Sequence, residues 1–123
     1  MRHHRAAMAA LLLFPVAAPP PAAAEGAFEP VRREARFESL VAGRDLRRFG
    51  ITLQVRRDGR IEGRALGRDV TGAWRWENGY FCREMAWGSR DLGPNCQAVL
   101  FDGRSLRFVA DRGEGDSADL RLE

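Results

Sequence analysis

The sequence contains no lysine, and its only histidines are His3 and His4, near the start of the chain. Both histidines lie in a leader that we expect to be removed, so the remaining chain has neither residue type. This excludes a Ser-His-Asp or Cys-His triad, a histidine-ligated zinc, a Schiff-base lysine and a P-loop lysine. The sequence therefore indicates no catalytic residue, and we expect neither a cofactor nor a metal ion.

The sequence also lacks an apolar run of the roughly 20 residues that a membrane-spanning helix needs. Its longest such run, at residues 6–18, follows two arginines and precedes three prolines and the alanines at 22–24. That order is typical of a secretory signal peptide, which we predict at residues 1–24. Residues 25–123 would then form one small periplasmic or secreted domain with no stable membrane span. An uncleaved membrane anchor is the alternative.

A bias toward charge of one sign is missing as well. Removal of the leader takes away two of the 20 basic residues, so 18 remain beside 17 acidic ones, a net charge of +1. The two signs are interspersed along the chain, whereas a nucleic-acid-binding domain gathers its basic residues on one face. We therefore predict that nucleic acid is not a partner.

The chain does contain regular apolar periodicities separated by turn residues. A short helix is predicted over residues 31–42, because Phe37, Leu40 and Val41 share one helical face and Gly43 suits a C-terminal cap. The period then changes to two, since every second residue of ITLQVR is apolar. This alternation predicts strands with one buried face.

Turn residues predict how these strands pair. The turn at residues 57–59 is expected to place Val55 opposite Ile61. A two-residue loop at Arg68-Asp69 is then expected to place Ile61 opposite Trp76. All three side chains would share the inner face of the sheet.

Two later hairpins follow the same reasoning. Asn78-Gly79 is a strong signal for a two-residue type I′ turn, which would place Trp74 opposite Arg83 and Trp76 opposite Phe81. A two-residue turn at Asp102-Gly103 would place Phe101 opposite Arg104, which therefore points inward.

The complete pattern predicts a mainly β fold. Together with a short strand at residues 46–49 and a last strand after an acidic loop, it gives seven or eight antiparallel strands in meander order. We expect a small up-and-down barrel, or a strongly curled sheet, with the short N-terminal helix over one opening.

Cys82 and Cys96 are the only cysteines, and they lie on strands predicted to be neighbours. In an exported chain this pair predicts a disulfide, which would stabilise the fold by roughly 3 kcal/mol in the chain-entropy model. A redox-active pair is the alternative, but the Cys-x-x-Cys spacing that lowers a thiol pKa is absent.

Five inward-facing residues are candidates for contact with a ligand: Trp74, Trp76, Phe81, Arg83 and Arg104. Core packing is the default interpretation of the aromatic residues. An inward arginine beside Trp74 would suit the carboxylate or phosphate group of a ligand. Alternatively, Arg83 pairs with an inner acid such as Glu62, or its guanidinium reaches the barrel rim.

The loop at residues 111–119 has four acidic residues among glycines, a composition that suits calcium. The acids are Asp111, Glu114, Asp116 and Asp119. Their spacing matches no EF-hand, and the loop joins two strands, so a solvated hairpin tip is the favoured interpretation.

A W-x-W before a glycine turn, one cysteine on each of two successive strands and a D-R-G after the last hairpin occur together at residues 74–113. In these features the chain resembles a group of small exported alphaproteobacterial proteins, some of which carry the label dihydrodipicolinate reductase. The resemblance covers most of the chain and implies export. That reductase needs a nicotinamide-binding fold with a glycine-rich fingerprint between strand and helix, whereas here the glycines fall in predicted hairpins.

Two classes of function follow from these observations. The first is a non-enzymatic binding module whose partner is an unknown small molecule or an envelope protein. The second is an enzyme, with the reductase as its specific form. The residues favour the first class.

Overall fold

The computed structural model describes residues 12–15 and 26–123. The predicted leader and its cleavage point therefore lie almost wholly outside the described residues. Residues 12–15 form an exposed segment without regular structure. No helix in the described part of the chain is long and apolar enough to cross a membrane.

Nine strands and two short helical segments follow one another within residues 26–123. In order they are β1 (Glu29–Val31), α1 (Glu34–Val41), β2 (Leu46–Arg48), β3 (Ile51–Val55), β4 (Arg60–Ala65), β5 (Arg68–Glu77), β6 (Tyr80–Trp87), β7 (Arg90–Phe101), β8 (Ser105–Val109), α2 (Ala110–Gly113) and β9 (Ser117–Leu122). Alternating residues place one face of each strand toward a shared interior.

Strands β2 to β9 form a closed antiparallel barrel of eight strands in meander order. Each strand pairs with the next one along the chain, and the pairing of β9 with β2 closes the ring. Strand β1 is an extra strand that pairs with the last residues of β7. The predicted up-and-down barrel is confirmed, and closure rules out the open curled sheet.

Two of the predicted registers are confirmed. Val55 lies opposite Ile61, and Trp76 lies opposite Phe81. Both residues of the Asn78-Gly79 turn have positive φ, at 51° and 85°, as a type I′ turn requires.

The hairpin between β4 and β5 differs from its prediction. Its turn is Leu66-Gly67, with φ of 50° and 81°, and not Arg68-Asp69. Ile61 consequently lies opposite Gly72. The prediction was wrong because leucine rarely adopts a positive φ, so Leu66-Gly67 gave no turn signal. The displacement is an even number of residues, so each β5 side chain keeps its predicted face.

The hairpin between β7 and β8 also differs from its prediction. Phe101 lies opposite Leu106, which makes the turn four residues long and leaves Arg104 exposed within it. The Asp102 carboxylate accepts hydrogen bonds from the backbone N–H groups of Arg104 and Ser105, at 2.8 and 2.6 Å. These bonds favour the longer turn, because an aspartate at this position organises the backbone that follows it. The inward orientation predicted for Arg104 is therefore wrong.

The helix begins three residues later than predicted. Val31 belongs instead to β1, which also contains Pro30, and lies opposite Val99. A three-residue strand that contains proline gives almost no sequence signal, and proline fits there because β1 is short and lies at an edge. Gly43 follows the helix with a φ of 68°, as its predicted capping role requires.

The two ends of the barrel are distinct. At the closed end lie the three connections at residues 56–59, 78–79 and 102–104, and helix α1 covers this opening. Its Phe37 side chain is fully buried among inner-face aromatic rings. The open end carries the other four connections, at residues 49–50, 66–67, 88–89 and 110–116.

Candidate ligand site in the barrel interior

A cavity of about 340 Å³ occupies the barrel interior on the side of the open end. A volume of this size suits a small ligand, for which pockets of about 300–1,000 Å³ are usual. Its lining is mainly apolar and comes from seven of the eight barrel strands: Leu46, Arg48, Ile51, Leu53, Val55, Ile61, Phe81, Arg83, Met85, Gln97, Phe108, Asp116, Ser117, Ala118 and Leu120. Most of these are the inner-face residues that the alternating pattern of the strands creates, whereas Asp116 and Ser117 lie where the last loop meets β9.

Two inner-face glycines shape the wall of the barrel. A Cβ atom on Gly63 would lie 2.1 Å from the Thr52 carbonyl oxygen, and one on Gly72 would lie 2.2 Å from the Glu84 carbonyl oxygen. Only glycine lets the neighbouring backbones approach so closely. Both residues therefore permit tight strand contact and add no side chain to the interior.

Arg83 is the charged residue that reaches deepest into the cavity wall. It projects from β6 between Phe81 on the side of the closed end and Met85 on the side of the open end, as predicted. Its Nη1 donates a hydrogen bond of 2.8 Å to the Gly93 carbonyl oxygen. Its Nε is buried without a partner, and no other buried side-chain nitrogen or oxygen among residues 26–123 shares that condition.

No carboxylate in the described part of the chain forms an ion pair with Arg83. The predicted alternative partner, Glu62, points outward and binds Arg56 and Arg60 at 2.9 and 3.0 Å. Burial lowers the pKa of Arg83, because the interior solvates its positive charge poorly. The guanidinium thus provides a positive charge in the wall of an apolar cavity, with no counter-ion among residues 26–123.

The remaining polar side chains of the cavity have different depths. Gln97 lies opposite Phe81 and is therefore deep in the barrel. Arg48 is the last residue of β2, Asp116 comes directly before β9, and Ser117 is the first residue of β9. All three therefore lie at the mouth of the cavity at the open end. A ligand entering from this end would pass a polar rim before it reached the apolar interior and Arg83.

Trp74 and Trp76 do not line the cavity. Their rings lie 5.4 and 5.0 Å from the ring of Phe37, centroid to centroid. Their Nε1 atoms donate to the carbonyl oxygens of Arg56 and Arg32, at 2.7 and 3.1 Å. Both tryptophans therefore belong to the aromatic core of the closed end, which is the default interpretation of the sequence.

Phe81 belongs to both regions. Its ring lies 5.1 Å from that of Phe37 and also forms part of the cavity lining. Of the five candidate residues, the structure therefore brings Phe81 and Arg83 together at the cavity. Arg104 lies at the opposite end of the barrel, exposed in the turn between β7 and β8.

The disulfide between Cys82 and Cys96 is confirmed. The two residues lie directly opposite each other on β6 and β7, on the outer face of the barrel. Glu77 lies near their sulfur atoms, and this is the one group of potential metal ligands within residues 26–123. Bonded sulfurs are not thiolates, so the group does not provide a metal site.

The acidic loop does not gather its carboxylates at one point. Asp111 accepts a hydrogen bond of 2.8 Å from Asn95, and Asp119 is paired with Arg107 at 2.7 Å on the outer wall. Asp116 lies at the cavity mouth. The three side chains thus have separate partners or surroundings, which disfavours the calcium interpretation.

No protein-family model matches the chain, and no curated protein or solved structure matches it significantly.

Proposed function

We propose that this protein is an exported, non-enzymatic binding module that holds a small molecule inside its barrel. The ligand has an apolar body and one anionic group, a carboxylate or a phosphate. The observation that carries the proposal is the apolar cavity with the guanidinium of Arg83 in its wall, where no carboxylate of residues 26–123 pairs with it. An anionic ligand group would supply the missing negative charge, and a charge-assisted hydrogen bond is stronger where water is scarce.

Export is part of the same proposal. The disulfide supports it, because disulfides persist in oxidising compartments. The resemblance to small exported alphaproteobacterial proteins supports it too. A mass measurement on protein from the periplasm should find residues 1–24 removed, and a chain that still carries them would contradict export.

A reductase is the less favoured alternative. Its nicotinamide-binding fold requires parallel strands joined by helices. All strand pairs described in this chain are antiparallel, and the connections between barrel strands are short, with one helical turn, α2, in the connection between β8 and β9.

Calorimetric titration with decanoate, decyl phosphate and decanol tests the binding proposal. The three probes share one apolar chain and differ in their polar group. We expect decanoate or decyl phosphate to bind more tightly than decanol. In Arg83→Met the anionic probe should lose about tenfold or more in affinity, as a charged hydrogen bond is lost, while decanol binding should stay the same.

Arg104→Met is the matched control, because it removes an arginine from the opposite end of the barrel. Its affinity for all three probes should equal that of the unmodified protein. If the unmodified protein bound none of the three probes, the proposed site would be contradicted. Equal losses in the two arginine variants would contradict the assigned role of Arg83.

A further inference from the structure

The barrel exposes its large apolar side chains at one end only. Phe49, Leu66 and Leu92 are 97%, 68% and 44% exposed, and no other large apolar residue within residues 26–123 is comparably exposed. Phe49 lies in the β2–β3 turn, Leu66 in the β4–β5 turn, and Leu92 close to the β6–β7 turn. All three connections surround the mouth of the cavity, whereas the closed end has no such residue among those described.

Leu66 is the most informative of the three. Its φ of 50° is a left-handed conformation that a leucine adopts at a cost and that asparagine or glycine adopts readily. Its side chain remains mostly exposed, so burial does not offset that cost. The fold thus holds a strained, apolar turn tip at the mouth of its cavity.

The turns at this end form a connected, ordered group. The backbone N–H of Leu66 donates a hydrogen bond of 2.8 Å to the Gly50 carbonyl oxygen, which joins the β2–β3 and β4–β5 turns. The N–H of Gly88 donates one of 2.8 Å to the Asp69 carbonyl oxygen, which joins the β6–β7 turn to the start of β5. A partner that binds these tips therefore meets a preformed surface.

Positive charge accompanies the apolar tips. Arg48, Arg68 and Arg90 lie beside the three turns, and no ion pair involves them among the described residues. Arg68 lies over the ring of Trp87, with its guanidinium carbon 4.6 Å from the ring centroid. In the ring of strands, the acidic β8–β9 loop is opposite the β4–β5 turn. Asp69 and Asp91 lie on the same side of the rim, and Asp69 pairs with Arg64 at 2.7 Å. Arginines therefore outnumber acids around Leu66, and the described residues combine apolar tips with an excess of positive charge there.

We propose that the open end of the barrel docks on the surface of a lipid bilayer that contains anionic lipids. Phe49 and Leu66 would enter the boundary between headgroups and acyl chains, and the nearby arginines would contact lipid phosphates. Separate side chains at turn tips suit insertion among lipids better than they suit a flat protein surface, which requires a contiguous apolar patch. Docking goes beyond the proposed function, because it does not depend on a filled cavity. It would also turn the cavity mouth toward the membrane.

Co-sedimentation with vesicles tests this proposal. Vesicles of phosphatidylcholine with phosphatidylglycerol should bind the purified protein more tightly than vesicles of phosphatidylcholine alone, and added salt should weaken the binding. The double variant Phe49→Ser, Leu66→Asn should lose about tenfold or more in partitioning to the vesicles, because two apolar side chains no longer leave water. Its melting temperature should not fall, since asparagine tolerates the positive φ of residue 66.

Two comparisons separate docking through the open rim from attraction to some other part of the protein surface. Arg68→Ser with Arg90→Ser should weaken binding to the anionic vesicles, whereas Arg104→Ser at the closed end should not. The Arg83→Met variant should bind vesicles as tightly as the unmodified protein, although it should bind the anionic probe more weakly. The docking proposal and the cavity proposal can therefore be contradicted separately.

Three results would overturn the docking proposal. The first is absence of binding to the anionic vesicles. The second is a folded double variant that binds them as well as the unmodified protein. The third is a dimer that the same double variant dissociates, because the open rim would then be an interface between two copies of the chain.

Discussion

The closed and open ends of the barrel are built from the same strands but differ in what fills them. At the closed end, the ring of Phe37 lies within 5.4 Å of the rings of Trp74, Trp76 and Phe81, centroid to centroid. At the open end no helix of the described residues enters the barrel, and a cavity of about 340 Å³ remains. Strand alternation points side chains inward at both ends of the barrel. The closed end is densely packed because helix α1 inserts Phe37 among the inner-face aromatic rings there.

This difference places dense aromatic packing and unfilled space at opposite ends of one barrel. A core of interlocking aromatic rings contributes large apolar burial at the closed end. That contribution lets the open end tolerate unfilled space, a buried Arg83 Nε without a hydrogen-bond partner among the described residues, and a strained turn at Leu66. Features that weaken a fold concentrate where the rest of the structure can hold them in place.

The largest effect is expected from removing the centre of the closed end. Phe37→Ala should lower the free energy of unfolding by about 3–5 kcal/mol, because Phe37 is completely buried among four aromatic rings. Met85→Ala at the cavity should cost only about 1 kcal/mol, since this side chain is half-buried beside space that already exists. Urea denaturation of both variants measures the difference. Equal losses would mean that the two ends are packed alike.

The disulfide on the outer wall should have the next largest effect. Replacing Cys82 and Cys96 together by alanine should cost roughly 3 kcal/mol, because the bond closes a loop with a sequence separation of 14. The unmodified protein under reducing conditions is the matched control and should lose a similar amount. Alkylation that labels both thiols in the unreduced protein would show that the bond does not form.

The two type I′ turns at opposite ends should respond in opposite directions. Gly79→Val at the closed end should cost about 1–3 kcal/mol, because a β-branched residue fits poorly at a φ of 85°. Leu66→Asn at the open end should instead raise the free energy of unfolding by about 1 kcal/mol, since it relieves a left-handed leucine. Thermal melting compares the two. A destabilised Leu66→Asn variant would show that the leucine side chain supports the fold.

The sequence predicted the faces of the strands more reliably than their registers. Asn78-Gly79 has a turn signal with a specific geometry, and the pairing of Trp76 with Phe81 followed from it. Leu66-Gly67 forms the same kind of turn with a residue that disfavours it, so its hairpin was assigned to the wrong residues. The prediction of which side chains face inward was still correct, because a displacement by an even number of residues leaves each side chain on the same face.

The candidate site was predictable only in part. Alternation identified Phe81 and Arg83 as inward residues, and both line the cavity. It placed Trp74 and Trp76 inward for the same reason, yet they pack against the helix. The difference depends on how far along the barrel α1 reaches, which is a tertiary contact between distant segments. No local pattern contains that information.

Acid should weaken the closed end through three carboxylates in its connections, which is the smallest effect considered. The pKa of Asp102 is lowered mainly by the N–H of Ser105, that of Asp58 by the N–H of Arg60, and that of Asp45 by the amide of Gln54. A carboxyl group whose pKa is lower in the folded state stabilises the fold above its unfolded pKa, which is about 3.9 for aspartate. This stabilisation is lost as the pH falls through the lower, folded pKa. The free energy of unfolding should therefore stay level from about pH 7 to pH 5 and decline below about pH 4.

Asp102→Asn removes one titrating group and keeps an oxygen that accepts the same hydrogen bonds. Its decline in acid, followed by urea denaturation at each pH, should be shallower than that of the unmodified protein, and an identical decline would show that Asp102 does not contribute.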